Sequence, residues 1–307
     1  MTQNSDLTST LNELRRITGI SFEISAKTPE EIEQAVVQLR RLNTAYKEKY
    51  NKIHFLKNLL HNTLSDYDIS EQAGKLHIKC NEERILFLIE SKKVLDDTVA
   101  TILKSIFPPQ TGTYIIPVSD TTLALLYPVS TKTDLEDYTL QIACSITDTL
   151  NTEALTFVWV ACSQVVCHLA ELPDAYQKTC LALKVGKLFN SEQNIFIYNK
   201  LGIGRLIYQL PLTVCNEFLN EVFKKEIPDS LDSDLFSTID RFLQNNLNIA
   251  VTARQLHMHR NTLIYRLEQI EKRTDLDLRN FEDAMTFKLA LMVMNYRNKI
   301  QEDTSHE

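Results

Sequence analysis

At 307 residues the chain exceeds one typical domain, so two or three are expected, each large enough for a buried core. Apolar residues make up 44% and charged residues 24%, the make-up of a soluble globular protein and not of a disordered or membrane-embedded one. A net charge of −7 argues at first sight against a nucleic-acid partner, but where basic residues sit matters more than their sum.

In chain order, residues 1–70 form an N-terminal helical segment. Leu7, Leu11, Leu14 and Ile17 share one helical stripe, and Ile20-Ser-Phe-Glu-Ile24 alternates. From Pro29 to about Leu64 there is no glycine or further proline. Apolar residues recur at steps of three and four from Ile32 to Leu64, which predicts one long amphipathic helix. Packed on its own domain, or paired with a second copy as a coiled coil, such a helix satisfies the same pattern.

Residues 75–200 change rhythm. Ile85-Leu-Phe-Leu-Ile89 is a buried strand and Leu95–Ile106 a helix; Tyr114–Val118 and Thr122–Tyr127 face each other across Ser119-Asp120-Thr121 as a hairpin. A helix at Leu135–Leu150, a strand at Leu155–Ala161, a helix at Ala175–Phe189 and a strand at Ile195–Tyr198 complete the order β-α-β-β-α-β-α-β. That order favours an α/β sandwich, with helices on one face of a mixed sheet. Residues 201–230 are a helical connector. Residues 231–300 hold four helices, near Leu235–Asn245, Val251–Leu256, Arg260–Arg273 and Phe281–Lys299.

Thr252-Ala-Arg-Gln-Leu256 followed at once by His257-Met-His-Arg-Asn-Thr-Leu-Ile-Tyr-Arg-Leu267 suits a helix-turn-helix that reads DNA. In such a unit the first helix braces across phosphates and the second lays its N-terminal residues in the major groove. The stretch His259–Leu267 resembles the C-terminal helix-turn-helix of the PucR/CdaR regulators, and the likeness runs from about Asp234 to Arg297. The resemblance implies a bacterial, homodimeric, DNA-binding transcription regulator, commonly an activator of a catabolic operon that answers to a metabolite. It also implies that the middle segment is the degenerate GGDEF-like domain of CdaR-type regulators. The fold class is therefore α+β and multidomain: a long N-terminal helix, a GGDEF-like α/β sandwich and an all-α helix-turn-helix domain.

In the third terminal helix, Leu263, Leu267 and Ile270 fall on one side and must pack inward. Asn261, Tyr265 and Lys272 point the opposite way, with Thr262 alongside. Asn can bond adenine and Arg guanine bidentately, so Arg260, Asn261, Thr262 and Tyr265 are the candidates for base edges. Arg254 on the bracing helix and Lys272 are candidates for phosphate, with His259 in the turn. Arg266 lies on the flank, as a phosphate contact or an internal pair. Between Thr252 and Arg273 the basic residues are Arg254, Arg260, Arg266, Lys272 and Arg273, against Glu268 and Glu271 alone.

Two positions depart from the family pattern. Ala250 stands where a polar cap commonly opens the bracing helix, which loses about 1 kcal/mol unless Asn248 caps instead. Asp275 stands where a glycine commonly ends the recognition helix. Next, Asn280 caps the last helix, where Phe281, Met285, Leu289, Met292, Val293 and Tyr296 form a stripe that covers the core, any surplus being available to a dimer contact.

Other chemistries are weakly supported. The six cysteines show no CxxC or zinc-like spacing; His257-x-His259 has no neighbouring acid or thiol; Cys167-His168 lacks an orienting acid. Gly202-x-Gly204 lacks a third glycine, and an active diguanylate cyclase would carry glycines and acids where this hairpin has Ser119-Asp120-Thr121. No catalytic residue, metal or cofactor is expected. The N-terminus is no signal peptide, and the uncharged run Ala154–Ala170 falls short of the roughly 18 apolar residues of a span, so a cytoplasmic location is expected. The first 70 residues are too short for the diacid-recognition domain of the sugar-diacid regulators, so that specificity is not expected here. Two rivals stay open: an adaptor assembling through its long helix, and a nucleotide-processing GGDEF-like enzyme. Effector and operator are not specified by the sequence.

Overall fold

The computed structural model describes residues 28–108, 111–129, 134–190, 192–224 and 233–305, with residues 10, 11 and 15. The alternating Ile20–Ile24 stretch, and nearly all of the short helix expected before it, lie outside these residues. Two compact units divide the chain: Met1–Cys180 with Ile195–Tyr198, and Leu181–Asn194 with Asn199–Glu307.

In the first unit, helix α1 (Pro29–Leu60) starts on a capping box. The Glu31 N–H donates to Thr28 Oγ1 at 3.2 Å and the Thr28 N–H donates to Glu31 Oε2 at 3.1 Å, with Pro29 following. Near its C-terminal end Phe55, Leu56, Leu59 and Leu60 are buried, and the helix lies against β2 (Tyr114–Ser119). It stops four residues short of Leu64, because Asn62 turns left-handed at φ 55°. Leu42, expected on the apolar stripe, is 47% exposed. A further helix not foreseen, α2 (Asp66–Lys75), opens on Ser65, whose hydroxyl accepts the Asp68 N–H at 3.3 Å.

A five-stranded mixed sheet has the order β2-β3-β1-β4-β5. Strand β1 (Asn81–Ser91) runs antiparallel to both β3 (Thr122–Pro128) and β4 (Val158–His168), and β5 (Ile195–Ile197) runs parallel to β4. Phe87 faces Leu125 on one side and Cys162 on the other. On that face Ile85, Phe87, Ile89, Leu123, Val158 and Val160 pack with α3 (Asp97–Ile106) and α4 (Leu135–Glu153). Leu86, Leu88, Ala124, Leu126 and Ala161, pointing the other way, are buried too. The expectation of helices on one face is therefore corrected: β1 is apolar at both parities, as a strand covered on both sides must be. Strand β4 also starts later than expected and runs to His168, since Leu155 is still in the left-handed turn after α4 at φ 49°. Burial pushes the Cys162 thiol up, out of the range of a reactive thiolate.

Helix α5 (Leu172–Phe189) runs from the first unit's residues into the second's. Among its described residues the second unit is all helical. It comprises α6 (Gly204–Ile207), α7 (Leu212–Val222), α8 (Ser233–Gln244), α9 (Ile249–Gln255), α10 (Arg260–Thr274) and α11 (Phe281–Ser305). Gly204 is required by packing: a Cβ there would meet the Phe189 ring at 2.9 Å. Cys215, Leu219, Ile239, Phe242, Leu263, Leu267, Phe287 and Leu291 share one core. α11 faces it with Phe287, Ala290, Leu291 and Met294 in addition to Val293 and Tyr296, whereas Phe281 is 62% and Met285 44% exposed. The stripe expected to cover the core therefore splits between two sides of α11.

Candidate nucleic-acid interface

The joint between α8 and α9 is built from asparagines. Asn246 and Leu247 are left-handed, at φ 51° and 62°, and return their N–H groups to the Leu243 and Phe242 carbonyls, which ends α8. Asn248 then caps α9: its Oδ1 accepts the Val251 N–H at 3.1 Å. The missing polar residue at Ala250 is thus compensated two positions earlier. Asn245 donates to Thr252 Oγ1 at 3.1 Å and to Gln255 Oε1 at 2.9 Å, tying the end of α8 to both turns of α9. Its role was not foreseen, although the Asn245-Asn-Leu-Asn248 cluster is a turn signal.

Four residues, Leu256–His259, separate α9 from α10. His257 takes the left-handed conformation at φ 51°, and the Met258 N–H closes back on the Ala253 carbonyl at 3.0 Å. His259 is the N-cap of α10, its Nδ1 accepting the Asn261 N–H at 3.2 Å. At the far end Asp275 ends the helix in the left-handed region at φ 60°, the place a glycine fills more cheaply. Its carboxylate pairs with the Lys224 ammonium.

Burial fixes which side of α10 faces out. Leu263, Leu267 and Ile270 are at most 1% exposed, anchoring the helix through one face. Arg260, Asn261, Thr262 and Lys272 are exposed and Tyr265 is 58% exposed. Arg254 on α9 and His259 in the turn are exposed as well. None of Arg254, Arg260, Lys272 or Arg273 pairs with a carboxylate among the described residues. Arg266 behaves differently: half-buried, it donates to the Asp234 carbonyl at 3.1 Å and to the buried Thr238 hydroxyl, strapping α10 to α8. Its guanidinium is thereby engaged within the unit, the internal role that its place on the flank left open beside a phosphate contact.

Arg279 is likewise committed. Its Nε donates to Asp277 Oδ1 at 2.6 Å and its Nη2 to Glu271 Oε2 at 3.0 Å. The same guanidinium holds the Asp277 carboxyl below the usual carboxylate range. Asn280 caps α11 as expected, accepting the Glu282 N–H at 2.9 Å. No helix among the described residues is long and apolar enough to cross a membrane.

A family model described as the PucR C-terminal helix-turn-helix domain matches residues 235–293, and one described as a GGDEF-like domain matches residues 61–185. The purine catabolism regulatory protein of Bacillus subtilis (strain 168) is 32% identical over 130 residues, 42% of this chain and 24% of that protein. The proline-responsive transcriptional activator PutR of the same organism is 32% identical over 133 residues, 41% of this chain and 32% of that protein. This chain thus spans about a quarter of the first relative's length and a third of the second's. The carbohydrate diacid regulator of Escherichia coli (strain K12) is 23% identical over 271 residues, 85% of this chain and 70% of that protein.

Proposed function

We propose that this chain, similar in its two matched domains to the PucR/CdaR regulators, is a sequence-specific DNA-binding transcription regulator working as a homodimer in the cytoplasm. The observation that carries the reading is the division of α10. One side is sealed into the core by Leu263, Leu267 and Ile270, and the other offers Arg260, Asn261, Thr262 and Tyr265 to solvent. A helix anchored along one face and polar along the other is what a major groove admits. Asn261 and Arg260 read base edges, with Thr262 and Tyr265 beside them. Arg254, Lys272 and His259 hold phosphate, a term that carries no sequence information and weakens with salt.

The GGDEF-like domain acts here as scaffold, dimeriser or sensor and not as a cyclase. Its hairpin turns at Asp120-Thr121 with the Thr121 N–H closed onto the Ser119 hydroxyl at 3.3 Å, and no glycine stands there to let a nucleotide phosphate approach the backbone. A metabolic operon is the target and a small molecule the effector, by analogy with relatives named for purine catabolism and proline response.

Mobility shift on DNA upstream of the gene, at two salt concentrations, tests the reading. The wild-type chain is expected to prefer one fragment over competitor DNA. Arg260→Ala with Asn261→Ala is expected to remove that preference and keep the salt-dependent background. Full retention of specificity by the double variant refutes the assigned face. Turnover of nucleoside triphosphates with magnesium or manganese would instead favour an enzyme.

A further inference from the structure

The helical unit contains a cavity of about 530 Å³ lined by none of the DNA-facing residues. Small-ligand sites fall between roughly 300 and 1,000 Å³. Its walls are mostly apolar: Leu243 and Leu247 at the end of α8, and Phe281, Met285, Leu289 and Met292 along α11. Phe281 and Met285 leave large apolar area in water, although α11 has a complete inward face without them. Two polar residues, Lys288 and Asn246, complete the lining. Lys288 is exposed and makes no ion pair among the described residues, and no carboxylate lines the cavity. Its electrostatics favour one negative charge on an otherwise apolar molecule.

We infer that this cavity binds a small organic anion, an aromatic or branched hydrocarbon body ending in a single carboxylate. The body covers Phe281, Met285 and Met292 and takes its affinity from excluded water. The carboxylate pairs with the Lys288 ammonium. The position of the site gives binding a consequence. Asn246 and Leu247 form the left-handed joint directly before Asn248, the cap of α9. Leucine adopts that conformation only with strain. A ligand packed against Leu247 therefore acts on the joint that sets the bracing helix on α8. This coupling rests on the DNA-binding reading above, whereas the ligand site itself does not.

Calorimetric titration of the full chain with phenylbutyrate, phenylbutanol and phenylbutylamine, matched except for the head group, tests the site. Phenylbutyrate is expected to bind about fivefold more tightly than the alcohol, with the amine weakest. Lys288→Met is expected to erase the preference for the acid while the alcohol still binds. Met285→Glu changes an exposed position, so the fold is retained, and binding of all three probes is expected to fall at least about tenfold. Equal affinity for the three head groups, an unaltered preference in Lys288→Met, or no binding overturns the proposal. So does sedimentation showing that Met285→Glu splits a dimer that binds no probe, since the groove is then a subunit contact. In a DNA titration, saturating phenylbutyrate is expected to shift wild-type affinity at least about threefold and leave Met285→Glu unmoved. Probe binding with unmoved DNA affinity overturns the coupling alone; probe binding by a chain that holds no DNA counts against the regulator reading and not against this site.

Discussion

Arg266 separates an internal strap from a phosphate contact, because the two roles predict opposite readouts. Its guanidinium donates to the Asp234 carbonyl and to the hydroxyl of Thr238, which is 1% exposed and donates its own proton to the Asp234 carbonyl at 2.7 Å. A hydrogen bond from a charged donor contributes about 1.5–3 kcal/mol when sheltered. Arg266 is half-buried, so the gain is discounted to about 1–2 kcal/mol. Arg266→Met keeps the packing of the stem and removes the donors. Its melting midpoint is expected to fall by several degrees, since 1 kcal/mol moves a small domain by roughly 4–8 °C. A cycle with Thr238→Val is expected to return a coupling of about 1 kcal/mol. The slope of log affinity against log salt is expected to stay put, because each phosphate contact contributes only about −0.9 and this residue makes none. Arg254→Ala is expected to do the reverse, lowering the slope by about 0.9 with little change in melting. Wild-type stability in Arg266→Met, together with a slope reduced by about 0.9, would refute the strap.

Other outcomes follow from the caps and the acid cage. Asn248→Ala removes the cap of α9 and is expected to lose about 1 kcal/mol in urea unfolding, while Ala250→Ser is expected to add little because the cap is already supplied. At left-handed Asp275, glycine is expected to exceed alanine in stability by about 1 kcal/mol, the exposed Lys224 pair counting for little in either comparison. The Asp277 carboxyl is held below its unfolded value by Arg279, so its contribution is present above the ordinary carboxylate pKa of about 3.9 and is lost as pH falls through the depressed folded value. Acid unfolding of Asp277→Asn is accordingly expected to show a shallower loss in that window than the wild type, and an unchanged profile excludes the cage as its source.

The exposed side of α10 was legible because a helix obeys one period: Leu263, Leu267 and Ile270 could go nowhere but inward, which sent Asn261 and Tyr265 outward. The long helix was legible too, from apolar steps of three and four without glycine or further proline, although the capping box at Thr28-Pro-Glu-Glu31 that starts it went unread. What escaped was set by partners distant in sequence. Nothing near Arg266 says that Thr238, 28 positions earlier, will take its donors. The one-sided sheet failed for a related reason: an apolar run such as Ile85–Ile89 does not say what lies over each of its faces. On α11, apolar residues surround the helix, so periodicity alone could not choose between the stripe through Met285 and the one through Phe287.

The acidity of the whole chain then ceases to bear on its partner, for a reason visible in the pairings. Between Thr252 and Arg273 the sequence offers five basic side chains. Arg266 is withdrawn to α8, and the nearby Arg279 is held by Glu271 and Asp277, which also spends one of the stretch's two acids. Arg254, Arg260, Lys272 and Arg273 are exposed, with no carboxylate partner among the described residues. With each phosphate contact contributing about −0.9, four cations set a limiting salt slope of roughly −3.6 per subunit. The net charge of −7 enters that slope nowhere, because charges beyond about a Debye length of the groove are screened. A measured slope steeper than this limit would require cations from outside α9 and α10, and would move the DNA contact beyond the helix-turn-helix.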